Sequence, residues 1–146
     1  MSMQENVRVD DEFIAAWNAG DTGRTLAVLS DDVVWRDIGN PRSMNGREAA
    51  RPYVQSWYTA FPDLRATVTN RVVTDDQVAV EVDFSGTHTG PLQMSPEMPA
   101  VPPTGRRVNG KGTYFLRIAD GKAVEVRTYP DVAGMMMQLG LLGPQG

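Results

Sequence analysis

The stretch RATVTNRVVTDDQVAVEVDFSGTH, residues 65–88, decides the fold. β-Branched and aromatic residues dominate it, and from Gln77 onward apolar and polar residues alternate. That alternation marks a strand with one face on a core. Asp75-Asp76 interrupts the pattern as a turn, so the stretch predicts two paired strands, about Arg65 to Val73 and Gln77 to His88. Val78, Val80, Val82 and Phe84 share the core parity, and so does His88, at the strand's end. Downstream, Arg107 to Ala119 and Ala123 to Tyr129 repeat the pattern around Asp120-Gly121, a tight hairpin signal. Val108, Tyr114, Leu116 and Ile118 share one face of the first of these, and Val124, Val126 and Thr128 one face of the second.

The chain before this sheet reads as helical. Phe13, Ile14 and Trp17 recur at helical spacing, and Asn18-Ala19-Gly20-Asp21 closes that helix. A second short helix carries Leu26 and Leu29 and ends at Asp31-Asp32. A strand follows, Val33 to Ile38, with Val33, Trp35 and Asp37 on one face, inside or outside the sheet's concavity. Gly39 to Arg42 is a turn. A third helix runs from about Gly46 to Ala60 with Tyr53, Trp57 and Ala60 along one side. Pro52 breaks helix interiors, which puts its regular part nearer Arg51. A short terminal helix, about Val132 to Leu139, stops at Gly140. Helices first and antiparallel strands after give an α+β fold: a single domain over residues 1–146, helices in the concave face of a bent sheet, and an open-ended internal pocket.

Composition narrows the function. The 146 residues are 41% hydrophobic and 22% charged with a net charge of −4, the balance of a globular protein without the basic excess nucleic acid demands. There is no cysteine and one histidine, which removes disulfides, thiolate metal sites, cysteine nucleophiles and multi-histidine metal sites. No apolar run approaches the ~20 residues of a membrane span, and Met1 to Asp11 is too polar for a secretory signal. The expectation is a cytoplasmic protein with neither metal nor cofactor, and with neither nucleic acid nor membrane as partner.

Several side chains could carry chemistry, each beside a purely structural alternative. Asp37 either sits in the pocket or bonds the backbone of its turn. His88 is a core histidine or a hydrogen-bond donor, and Tyr114 a core aromatic or a donor. Asp131, after Tyr129-Pro130, is the N-cap of the last helix or a carboxylate at the pocket mouth, where burial would fit it for acid/base work. Trp35, Trp57, Tyr58 and Tyr129 are candidate pocket walls. The segment Thr89 to Gly105 holds five prolines with Met94 and Met98 and has no period. Loops of that kind are lids or surface insertions, and a lid would bring Met94 or Met98 to the pocket.

The ordered series Trp17-Asn18-Ala19-Gly20-Asp21, Val34-Trp35-Arg36-Asp37, Phe61-Pro62-Asp63-Leu64, Gly86-Thr87-His88-Thr89-Gly90, Pro103-Thr104-Gly105-Arg106 and Tyr129-Pro130-Asp131 before Gln138-Leu139-Gly140 resembles the SnoaL-like polyketide cyclase family. It covers nearly the whole chain. The resemblance implies the nuclear-transport-factor-like cone and a homodimer. It also implies an acid/base aspartate at Asp131 for an intramolecular aldol ring closure on an apolar, polyketide-like carbonyl compound, without metal or cofactor. Asp37 matches the general-base position of the related ketosteroid isomerases and Tyr114 lies near one of their donors, but Phe13 stands where they carry a tyrosine. An isomerase or hydrolase-like enzyme centred on Asp37, and a non-catalytic binding module, are the alternatives. The outer parity of the third long strand, Thr113 and Phe115, is the expected dimer face.

Overall fold

The computed structural model describes residues 2–142. Helix α1 (Met3–Ala19) starts at a Ser2 side-chain cap and ends at Gly20, whose φ of 63° is left-handed; glycine takes that conformation without strain. Asp21 caps α2 (Thr22–Ala27) through the Arg24 amide. Then come β1 (Leu29–Asp37), β2 (Met44–Asn45), α3 (Arg47–Ala60), β3 (Arg65–Val73), β4 (Gln77–Thr87), β5 (Arg107–Ala119), β6 (Lys122–Pro130) and α4 (Val132–Gln138). The six strands form one mixed sheet in the order β2-β1-β6-β5-β4-β3. All neighbours are antiparallel except β1 and β6, which run parallel. The fold is the α+β cone the alternation pointed to.

Three details depart from expectation. β1 begins at Leu29, not Val33, because Leu29 is fully buried and bulges into register with Ala123. α3 starts at Arg47 and runs through Pro52. Pro52 and Glu48 both face solvent, so the carbonyl that loses its helical partner to the proline ring meets water. In β6 a register shift against β5 turns Ala123 to the core and leaves Val124 half-buried.

The main core lies between the sheet and the helices, with Phe13, Leu26, Trp35, Val54, Leu116 and Val126 among its buried members. Val33, Trp35 and Asp37 all point into it, which settles the side on which that parity falls. A second, smaller cluster joins the end of α3 to α4: Ala60, Phe61, Leu92, Val108, Met135 and Leu139. Among the described residues no helix is long and apolar enough to cross a membrane.

Candidate active site

A cavity of about 120 Å³ opens between α1, α3 and strands β3 to β6. Phe13, Ile14 and Trp17 come from α1, with Phe13 and Trp17 one helical turn apart, and Tyr53 and Trp57 come from α3 at the same spacing. Phe84 and Tyr114 project from the sheet, and Thr128, Tyr129 and Pro130 complete the wall. The aromatic rings brace one another: Phe13 lies 5.2 Å from Tyr114, and Trp35 lies 5.3 Å from Tyr53, centroid to centroid. A wall of this kind accepts a flat apolar ligand.

Behind two of these residues sits Asp37, only 7% exposed. Its Oδ1 accepts hydrogen bonds from the Tyr53 hydroxyl at 2.8 Å and the Thr128 hydroxyl at 2.6 Å, while Oδ2 accepts from the Gly39 amide at 3.0 Å. The Trp35 indole donates in turn to Thr128 Oγ1 at 3.2 Å. Burial and the adjacent Asp37 charge push the Tyr53 phenol far above its ordinary range, so it stays protonated.

A second buried carboxylate stands beneath the cavity. The Tyr114 hydroxyl donates to Oδ1 of Asp10, and Arg71 Nε donates to Oδ2 at 2.7 Å. Arg71 also reaches the exposed Asp11 at 2.9 Å. The Asp10 side chain is wholly buried. Burial raises its carboxyl above the ordinary value, and the Tyr114 and Arg71 contacts oppose that rise. Tyr114 is driven far upward by burial and by Asp10. Sequence reasoning missed Asp10, although Asn6, Asp10, Phe13 and Ala16 are the buried stripe of α1; a charged residue inside that stripe was the signal.

The remaining candidates separate. Trp57 lines the cavity; Tyr129 borders it but turns its ring to the outer face of the sheet, 6.0 Å from Phe115, and Trp35 is fully buried in the core behind the cavity. Tyr58 is also core: its hydroxyl meets Thr25 at 2.9 Å, away from the cavity wall, and burial pushes it up to about 12. His88 is fully buried but in the other cluster, against Phe61 at 5.4 Å. Its Nδ1 accepts from the Thr104 amide at 3.2 Å, so the ring proton sits on Nε2, and burial lowers its pKa. The ring closes the neck of the 89–105 loop, and the shared parity failed to bring it to the cavity because β4 extends beyond the cavity's end.

That loop likewise does not reach the cavity wall. Leu92 and Val101 pair across it, Leu92 is buried in the second cluster beside a half-buried Met94, and Met98 is 54% exposed. The loop therefore seals the α3–α4 corner instead of the cone mouth. Asp131 is exposed and caps α4, its Oδ1 accepting from the Gly134 amide at 2.9 Å; it lacks the burial expected at the mouth. It lines an open groove with the outward-facing Glu81, Asp83, Lys111 and Thr113, and that groove shares Val82, Gly112, Thr113, Tyr129 and Pro130 with the cavity.

A helix-filled cone whose aromatic interior is backed by buried carboxylates is the architecture of the nuclear-transport-factor-like class. Within that class the chain belongs to the SnoaL-like polyketide cyclase family, which it matches over residues 7–139. AclR of Streptomyces galilaeus, a candidate hydroxylase, superposes with a TM-score of 0.81 at 29% identity, over 99% of this chain and 86% of that one. IdmH of Streptomyces antibioticus, a candidate polyketide cyclase, superposes with a TM-score of 0.73 at 30% identity, over 92% of this chain and 97% of that one. Nogalonic acid methyl ester cyclase of Streptomyces nogalater is 40% identical over 55 residues, 38% of this chain and 37% of that protein. The match spans less than two fifths of the length of the curated cyclases.

Proposed function

We propose that this chain closes a ring in an apolar, polyketide-like carbonyl compound by intramolecular aldol addition, with Asp131 as the proton carrier. A base takes the proton α to one carbonyl, the resulting carbanion attacks a second carbonyl, and the alkoxide regains a proton. The product is an isomer of the substrate, and the sequence of steps needs neither metal nor redox cofactor. Holding both carbonyls in one folded conformation lowers the barrier before any group acts. The observation that carries this reading is adjacency: Asp131 is an exposed carboxylate in a groove that shares Val82, Gly112, Thr113, Tyr129 and Pro130 with the aromatic cavity. Asp37 and Tyr114 face partners that hold them in place, and His88 lies away from the cavity, so none of these three enters the proton transfer.

The test uses Asp131→Asn. Asparagine caps a helix about as well as aspartate, so α4 is kept while the proton carrier is lost. With nogalonic acid methyl ester as probe, ring closure is followed by liquid chromatography as an isomer of unchanged mass. The variant should slow at least about a hundredfold, within the usual contribution of a positioned acid/base. Full turnover by a folded variant makes Asp131 a cap and nothing more.

One observation favours a second reading, a non-catalytic binding module: Asp10, Asp37 and Asp131 all spend oxygens on internal hydrogen bonds. That reading predicts binding of the same probe with no turnover by the unaltered protein. A homodimer through the outer sheet face also belongs to the proposal. There Phe115 and Tyr129 stand edge to face at 6.0 Å and the Arg127 guanidinium lies 4.8 Å over the Phe115 ring. A sedimentation mass of one chain at micromolar concentration refutes it. We take its location as cytoplasmic, which cell fractionation tests.

A further inference from the structure

We infer that Gly112 determines which ligands the cavity admits: the side chain it lacks is the space that takes the edge of a second fused ring. The β5 residues with the core parity are Val108, Gly110, Gly112, Tyr114, Leu116 and Ile118. The four with side chains are buried, while the two glycines are only half-buried. Glycine inside a strand weakens it, and its presence there marks a close approach by something else. Neither glycine has a positive φ, so the backbone conformation does not call for them.

The two glycines have different neighbours. A Cβ at Gly110 would overlap the ring of Phe84, its partner on β4. Gly110 therefore serves packing: it seats Phe84, one wall of the cavity. A Cβ at Gly112 would meet no such obstacle. Its nearest atoms would be the Pro130 Cα at 3.5 Å, the Tyr129 carbonyl oxygen at 3.7 Å and the Val82 Cγ2 at 3.7 Å, all ordinary contacts. The fold has room for a larger residue at 112, and the strand would gain from one. What a side chain there would take is cavity, because Gly112 lines it together with Val82, Tyr114 and Pro130. Without a Cβ, the β5 backbone lets the flat edge of a ligand lie directly against it. An apolar pocket discriminates against a single carbon too many by about tenfold or more, so this one position sets the ring size that fits.

The proposal rests on the cavity being the ligand site of the ring closure above, and its test reads binding, not turnover. The probes are 1-tetralone, a fused bicyclic ketone, and acetophenone, the same aryl ketone without the two carbons that close the second ring. Titration calorimetry on the unaltered protein should favour 1-tetralone. Gly112→Ala should weaken 1-tetralone about tenfold and acetophenone by no more than about twofold, with cooperative melting retained. Val82→Leu fills the same space from β4 and should shift the preference the same way. Adding Val82→Ala to Gly112→Ala reopens the space and should restore most of the preference. Four results overturn the inference: equal losses for both probes, an unchanged 1-tetralone affinity in Gly112→Ala, a Gly112→Ala variant that no longer melts cooperatively, or no binding of 1-tetralone at millimolar concentration. Absence of ring closure with the size preference intact overturns the acid/base reading alone.

Discussion

Replacing Arg71 with methionine isolates the buried pair on which α1 is anchored to the sheet. Methionine keeps most of the aliphatic stem, so the change is mainly the loss of a cation. Arg71 lies 2.7 Å from Oδ2 of an Asp10 side chain that has no exposure, while the arginine itself is 23% exposed. Removing one partner of a buried pair costs about 3–5 kcal/mol. Water reaching the arginine end puts this case near the lower limit, about 3 kcal/mol, since Tyr114 still serves Oδ1. The effect carries a pH signature. Burial already holds the Asp10 carboxyl above its ordinary 3.8 in the folded state, and losing Arg71 raises it further. A carboxyl raised by folding has its full stability below the unfolded value and loses it as pH climbs through the folded value. The deficit of the variant should therefore be largest at pH 7 and shrink toward pH 4. Urea unfolding of both proteins at the two pH values measures it. Adding Asp10→Asn to the variant should recover about half of the loss at pH 7, because the uncompensated charge is then gone. A deficit under about 1 kcal/mol at pH 7, or one that does not change with pH, refutes the reasoning.

Other perturbations have equally direct readouts. Gly90→Ala would put a Cβ 1.9 Å from the Thr59 carbonyl oxygen, a backbone clash that only displacement of the loop neck relieves. A loss of about 3 kcal/mol or more in thermal or urea unfolding is expected, with the cavity wall left intact because the loop does not border it. His88 is held neutral by burial, its pKa below the ordinary 6.5. A histidine lowered by folding loses its stabilising effect as pH falls through 6.5 and below. Acidification from pH 7 to 5 should thus destabilise the protein less in His88→Leu than in the unaltered chain, and parallel pH curves would contradict this.

The architecture was readable because its strands advertise themselves. In β4 the alternation Val78, Val80, Val82 needs only the period of the pleat, and Gly20 and Asp21 punctuate the helices by local chemistry alone. The site was less readable because its groups meet across the sheet. Asp37 and Thr128 are brought together by the parallel pairing of β1 with β6, which no local pattern encodes. His88 had the correct parity and still fell in the second cluster, since parity fixes a face and not a height along the cone. The Thr89 to Gly105 loop misled for a related reason: its prolines reveal irregular backbone, while buried Leu92 decides which corner it covers. Tyr58, the residue after Trp57 and so on a different face of α3, turns toward Thr25 on the core side.

The parallel pairing of β1 with β6 also sets an order of assembly. Residues 29–37 leave the ribosome well before their main partner, Lys122–Pro130. The β3–β4–β5 meander pairs sequential neighbours and can form as it emerges, whereas β1 waits for β6 to be made. Such non-local closures are slow steps, and apolar strands left waiting are prone to misassociate. The cluster of Asp37, Tyr53 and Thr128 therefore comes into being only once β6 has paired with β1, so that this wall of the cavity is complete only in a molecule whose parallel pair has closed.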